Sequence, residues 1–234
     1  MFKVTGMHSA GKSGWKRFGL LAMPTAMLAG LFAAVGCGGG GDDGGPSGLP
    51  AAKASQAQVL RGRALVTTMG CIDCHNRGKN DPSDPQWMAG VVTGNPQGAF
   101  DIGPFKTYAA NLTPDAATGL GSLSDRQVFN SLRYGLDPGE TPNVVITGTT
   151  PGSGNFPATP VYLAPPMPWP STRHLSDDDT WAIVAYLKHG IKAVSNTVPD
   201  SDGPPDHWAG SYADAAVGPK TLPAYPAAGE VFAP

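Results

Sequence analysis

The chain has 234 residues, with 16 Lys and Arg against 18 Asp and Glu, a formal charge of −2, and Gly 32, Pro 24 and Cys 3. That length suits one domain with a real core, or one domain plus long loops. A faintly acidic chain is poorly suited to nucleic acid, which demands cationic neutralisation of phosphate, and three cysteines cannot frame a chain this long with disulfides.

The first segment, Gly6–Ser13, reads GMHSAGKS and fits the phosphate-loop pattern G-x-x-x-x-G-K-[ST]. Such a loop must follow a buried strand and open a helix packed on a sheet. Only MFKVT precedes it, and GWKRFGLLAMPTAMLAGLFAAVGC follows. Lys3, Lys12, Lys16 and Arg17 form a basic patch, Phe18 to Val35 an apolar run, and small residues lead to Cys37. That order marks a secretory signal, so no nucleotide is expected at Gly6–Ser13. Ala34-Val35-Gly36-Cys37 resembles a lipobox, which implies lipidation of Cys37 and cleavage before it. Ordinary cleavage and a retained membrane-spanning anchor are the competing readings. Removal of residues 1–36 would leave 12 basic against 18 acidic residues, which favours partners with basic patches.

Residues 37–50, GGGG and DDGGPSGLP after the cysteine, have linker composition. Ordinary composition begins at Ala51, and residues 51–192 are expected to form the folded domain. Gln58 to Thr68 predicts a first helix, with Val59, Leu60, Arg63, Val66 and Thr67 at helical spacing and Gly62 inside. Residues 76–121 read mostly as turns. Ser124 to Tyr134 predicts a second helix, with a Ser124–Gln127 capping box and Gly135 as its stop. Val144 to Ile146 reads as one possible strand inside a long loop. LSDDDTWAIVAYLKHG predicts a third helix, capped by Ser176, with Asp177 to Asp179 at its positive end and Lys188 and His189 at its negative end. Residues 193–234 are rich in Pro and lose periodicity; this extension either wraps the domain or lacks fixed structure.

CIDCH, Cys71 to His75, is the C-x-x-C-H attachment motif of c-type haem. Its two thiols add to the haem vinyl groups, and the adjacent His75 presents its imidazole to the iron. Zinc would require two further ligands at matching spacing, and no second Cys/His pair is present. One covalent haem c with its iron is therefore the expected cofactor. A sixth ligand is sought next. APPMPWP places Met167 among Pro165, Pro166, Pro168 and Pro170. Proline fixes φ, so the segment is expected to be stiff and extended. Ordering it in advance reduces the entropy lost when a weak thioether binds. Met88 is the main rival ligand; Met69 lies too near the attachment site, and His174, His189 and His207 are further candidates.

The segments RGRALVTTMGCIDCHN, GPF, NLTPDAATGLGSLSD, PPMPW and LSDDDTWAIVAYLKHG together resemble the c-type cytochrome domains of bacterial envelopes. The nearest likeness is to the cytochrome subunits of membrane dehydrogenases, and it covers Gln58 to Ile191. It implies a class I-type, all-α fold: three to five short helices around one haem, with terminal helices crossing, here with long Pro/Gly-rich loops and an irregular tail. Gly62 and Tyr186 match the family's helix crossing. Gly103-Pro104 resembles the Gly-Pro turn whose proline carbonyl accepts from the axial histidine. Tyr108, Asn111 and Trp169 match positions that line haem or bond its propionates, although packing and turn roles suit them equally. The family's dehydrogenase subunits usually carry several C-x-x-C-H motifs, and this chain has one.

His/Met ligation would fill both axial positions and raise the potential relative to bis-His. The expected function is one-electron transfer between membrane-associated redox proteins in the cell envelope, with no catalysis by the chain itself. A haem subunit fixed in a dehydrogenase complex is the alternative, and a sensor or peroxidase-like enzyme with an open distal face is a third class.

Overall fold

A computed structural model describes residues 54–92, 97–202, 210 and 214–231. All of them fall within the compact unit Gly45–Pro234. The phosphate-loop match, the signal, the linker with Cys37, and His207 lie outside the described residues. Among the described residues, no helix is long and apolar enough to cross a membrane.

Helix α1 spans Gln56–Thr68. Ser55 caps it: Gln58 N donates to the Ser55 hydroxyl at 3.2 Å, and Ser55 N donates to Gln58 Oε1 at 3.0 Å. Gln58 is therefore the third helical residue, and the helix begins two residues before the start expected from periodicity. Its buried stripe is Gly62, Leu65 and Val66, whereas Leu60 is exposed. Gly70, with φ +75°, then turns the chain into the short helix α2, Cys71–His75. A positive φ is costly for a residue with Cβ, so glycine suits this reversal.

Strands β1, Ala99–Ile102, and β2, Phe105–Tyr108, form an antiparallel hairpin in which Ile102 faces Phe105. Gly103 and Pro104 make the two-residue turn, with Gly103 at φ +61°. The all-α expectation therefore gains a two-stranded sheet. The strands have four residues each and no clean alternation of burial, which leaves little periodicity to detect.

Helix α3, Asp125–Tyr134, has the predicted box between Ser124 and Gln127 and ends at Gly135, φ +66°. Val144 to Ile146 joins no strand. Its carbonyls instead accept from α3: Asn130 Nδ2 donates to Val144 O and Tyr134 Oη to Ile146 O. Leu136, Ile146 and Phe156 form a small cluster behind this loop.

After the one-turn helix α4, Trp169–Thr172, helix α5 spans Asp177–Ala185 and widens into a π turn over Tyr186–Gly190. Ser176 caps α5 by accepting from Asp179 N. Lys188 and His189 lie in the last turn of this helix, as expected, and also reach beyond it. Lys188 Nζ donates to the carbonyls of Leu120 and Leu123, and His189 Nε2 lies 3.0 Å from Asp125 at the start of α3. Both side chains therefore fasten the last helix to the α3 entrance.

The main core joins Leu65, Val66, Ile72, Trp87, Met88, Val128, Phe129 and Leu132 to the buried face of α5 and its π turn. Each fully buried side chain of this size contributes roughly 1.5–3 kcal/mol. The α1–α5 crossing bears out the Gly62–Tyr186 pairing: a Cβ on Gly62 would stand 2.8 Å from Tyr186 Cβ. Tyr186 Oη in turn accepts from Trp87 Nε1 at 2.9 Å. Parts of the C-terminal extension bond to the domain. Asp202 N donates to Lys106 O at 2.8 Å, and a short helix α6, Asp214–Val217, precedes Gly218 and Pro219, whose carbonyls accept from Arg173.

Candidate haem site

Helix α2 presents Cys71 and Cys74 three residues apart, hence on one side of a helical turn. Ile72 between them is buried in the main core and fixes the rotation of the turn. Both thiols are free and half-buried. Burial pushes the Cys71 thiol up to about 11 and raises Cys74 as well. Redox-exchange dithiols are favoured by the opposite, a lowered thiol pKa. Among the described residues no group of three His, Cys, Asp or Glu could hold a metal ion in a cage of their own.

His75 follows directly. Burial lowers its pKa, which keeps the imidazole neutral, and its Nδ1 lies 2.8 Å from Ala110 O. A carbonyl only accepts, so Nδ1 carries the proton and Nε2 keeps its lone pair for a metal. The expected acceptor was the carbonyl of Pro104. Pro104 instead sits exposed at the tip of the β-hairpin, and Ala110 makes the bond. The hairpin carries the Gly-Pro pair away from α2, and the chain returns to His75 only after β2.

For Asn111 the structure shows the loop role of the two that were open. It is buried, and its polar atoms are engaged within the protein. Nδ2 donates to Thr118 Oγ1, Val194 O and Asn196 O, while Oδ1 accepts from Thr113 N and Thr113 Oγ1. A residue so engaged ties a loop together and has no donor left for a propionate. Tyr108 is half-buried on β2, and its backbone N–H donates to Ser201 Oγ.

Met167 is half-buried and packs against the main core, as Cys71 does. The surrounding segment turns at Pro165 and Pro166, correcting the extended form expected of it. Thr107 Oγ1 donates to Pro165 O at 2.9 Å and Trp169 N to Met167 O at 2.9 Å, so the loop is held on both sides of the methionine. Trp169 is buried, stacks on Tyr162 with centroids 6.1 Å apart, and packs with Ile102 and Phe105 of the hairpin. Its ring covers Gly135 so closely that a Cβ there would meet Trp169 Cε2 at 2.2 Å.

The rival ligands have other surroundings. Met88 is fully buried in the core, and its N–H donates to Asn76 Oδ1. His174 lies beside Arg173, with 3.5 Å between Arg173 Nε and His174 Nε2. Periodicity alone missed the Arg77–Asp84 pair just past the motif. The buried Arg77 donates to Asp84 Oδ2 at 3.0 Å and to the carbonyls of Gln86 and Gly90, holding the loop that folds back over His75.

Two thiols on one turn, a neutral imidazole with a free Nε2, and an apolar flank form the donor set of a c-type haem protein. The residues fit that group.

No family model matches the chain. Relatives are found among curated proteins. The gluconate 2-dehydrogenase cytochrome c subunit of Pantoea cypripedii is 30% identical over 152 residues, 65% of this chain and 27% of the relative. The cytochrome c subunit of the quinone-dependent alcohol dehydrogenase of Gluconobacter oxydans is 28% identical over 195 residues, 82% of this chain and 30% of the relative. The fructose dehydrogenase cytochrome subunit of Gluconobacter japonicus is 25% identical over 154 residues, 65% of this chain and 25% of the relative. The chain is thus similar to cytochrome c subunits of bacterial dehydrogenases. Its matched region spans between a quarter and a third of the length of these relatives.

Proposed function

We propose that this chain is an electron-transfer protein that holds one covalent haem c through Cys71 and Cys74, with His75 and Met167 as axial ligands. The observation that carries the proposal is His75, placed directly after the thiol pair with its Nδ1–H given to Ala110 O. When bound, the haem supplies a reversible one-electron iron couple. The bond to Ala110 orients the ring and strengthens it as a donor. The braced loop around Met167 presents a thioether from the rim of the same core, whereas Met88 is sealed inside it. Filling both axial positions from the protein leaves none for substrate, which favours carrying electrons over catalysis. The relatives' names associate such subunits with dehydrogenases, which favours a redox protein partner at a membrane. Export through residues 1–36 and anchoring by a lipid on Cys37 fit that setting.

A redox-titrated optical spectrum of the purified mature protein tests the proposal. It is expected to show one haem c and a thioether-to-iron charge-transfer band. A colourless protein, or one that takes up carbon monoxide readily as isolated, would overturn it. Cys71→Ser with Cys74→Ser should abolish covalent attachment. Fatty-acid labelling lost in Cys37→Ser would establish the anchor. Co-purification with a dehydrogenase would separate a fixed subunit from a mobile carrier.

A further inference from the structure

The bond from His75 to Ala110 is only as firm as the segment that holds the carbonyl. That segment rests on the turn Ala89-Gly90-Val91. Val91 N donates to Ala109 O at 3.1 Å, and Gly90 packs so tightly beneath Ala110 that a Cβ there would stand 2.6 Å from Ala110 O. The same turn holds the backbone of the histidine, because Gly90 N donates to His75 O at 2.9 Å. Both ends of His75 therefore depend on three residues that have no regular secondary structure to stiffen them.

The brace comes from far along the chain. Asn196 Nδ2 donates to Ala89 O at 2.6 Å and to Val91 O at 2.8 Å, closing the turn from outside. Its backbone is held in place: Asn196 N donates to Thr118 Oγ1, and Asn196 O accepts from Asn111. Two residues earlier, Val194 exchanges bonds with Thr113, donating to its hydroxyl and accepting from it. One side-chain amide thus bridges the two carbonyls that flank Gly90.

We propose that Asn196, in the C-terminal extension, is a positioning residue for the axial His75, fixing the Ala89–Val91 turn on which both the histidine backbone and its Ala110 acceptor rest. The inference rests on the haem reading given above. Asn196 touches neither imidazole nor iron; it acts through the geometry of the acceptor. With the amide removed, the carbonyl of Ala110 drifts from Nδ1, the imidazole becomes a weaker donor to iron, and the oxidised state loses stabilisation.

The test uses the mature haem protein with Asn196→Asp, which keeps the shape but removes both donors, and Asn196→Ser as a milder second variant. Thr197→Ala, at an exposed neighbouring position, is the control. The readouts are the solvent-exchange rate of the His75 Nδ1 proton by NMR and the midpoint potential. Asn196→Asp should speed exchange at least about fivefold and raise the potential. Asn196→Ser should fall between it and wild type, and Thr197→Ala should match wild type. A haem-bearing variant pair with wild-type exchange and potential would overturn the inference while leaving the haem reading intact. A wild type without haem would remove both, and is distinguished by its lack of colour.

Discussion

Gly62 of α1 and Ala182 of α5 meet at the helix crossing with no room for a side chain: a Cβ on Gly62 would stand 1.9 Å from Ala182 O. The obstacle is backbone, which cannot swing aside as a long side chain can. Overpacking of this kind typically costs 1–3 kcal/mol. Gly62→Ala should therefore destabilise the domain by about 3 kcal/mol or more, despite alanine's better helix propensity. A lowered urea midpoint with an unchanged slope would check it.

Gly135 gives a second steric prediction, at the C-terminal end of α3. It has φ +66°, and a Cβ would enter the ring of Trp169. Gly135→Ala should cost about 2–3 kcal/mol, from backbone strain and displacement of the indole together. Near-UV circular dichroism should register the change in the indole's surroundings.

The two methionines separate cleanly by experiment. Met167→Ala should remove the charge-transfer band and lower the potential, with a modest effect on stability because the side chain is half-buried. Met88→Ala should cost about 2–5 kcal/mol, as expected for a large fully buried side chain, and leave the spectrum unchanged. The reverse pattern would assign the ligand to Met88.

Asp84 sets a pH dependence. The backbone N–H of Gln86 first, and the neighbouring Arg77 and Lys79, hold its carboxyl below the usual carboxylate range. A carboxyl with a depressed folded-state pKa stabilises the fold above its unfolded value of about 4, and that contribution is lost as pH falls through the lower folded value. Asp84→Asn should therefore cost about 2–3 kcal/mol at neutral pH, and the gap from wild type should narrow below about pH 4. Denaturation curves at both pH values would show it.

Helix capping was the most legible feature of the sequence. Ser124, Gln127, Gly135 and Ser176 signal helix ends through local bonds, and the structure places each as expected. The Gly62–Tyr186 crossing was legible only through resemblance, since neither residue signals a partner alone. What escaped depends on tertiary placement. A backbone carbonyl such as Ala110 O has no side-chain signature, and Asn196 lies 107 residues from Ala89. Asn111 was left open between a propionate and a loop tie because its type suits both equally, and its five bonds within the protein are tertiary. Lys188 and His189 fit the helix-dipole rule, but their further bonds to Leu120 and Asp125 have no local signature.

The bonds of Asn196 also impose an order of events. Synthesis runs from the N-terminus, so CIDCH emerges long before the residue that closes the turn behind it. Trp87 likewise waits across 99 residues for Tyr186. Contacts so remote in sequence form slowly. Under the proposed haem reading, the thiols of a nascent chain therefore stay approachable until the C-terminal segment arrives, and the wall behind His75 is completed last.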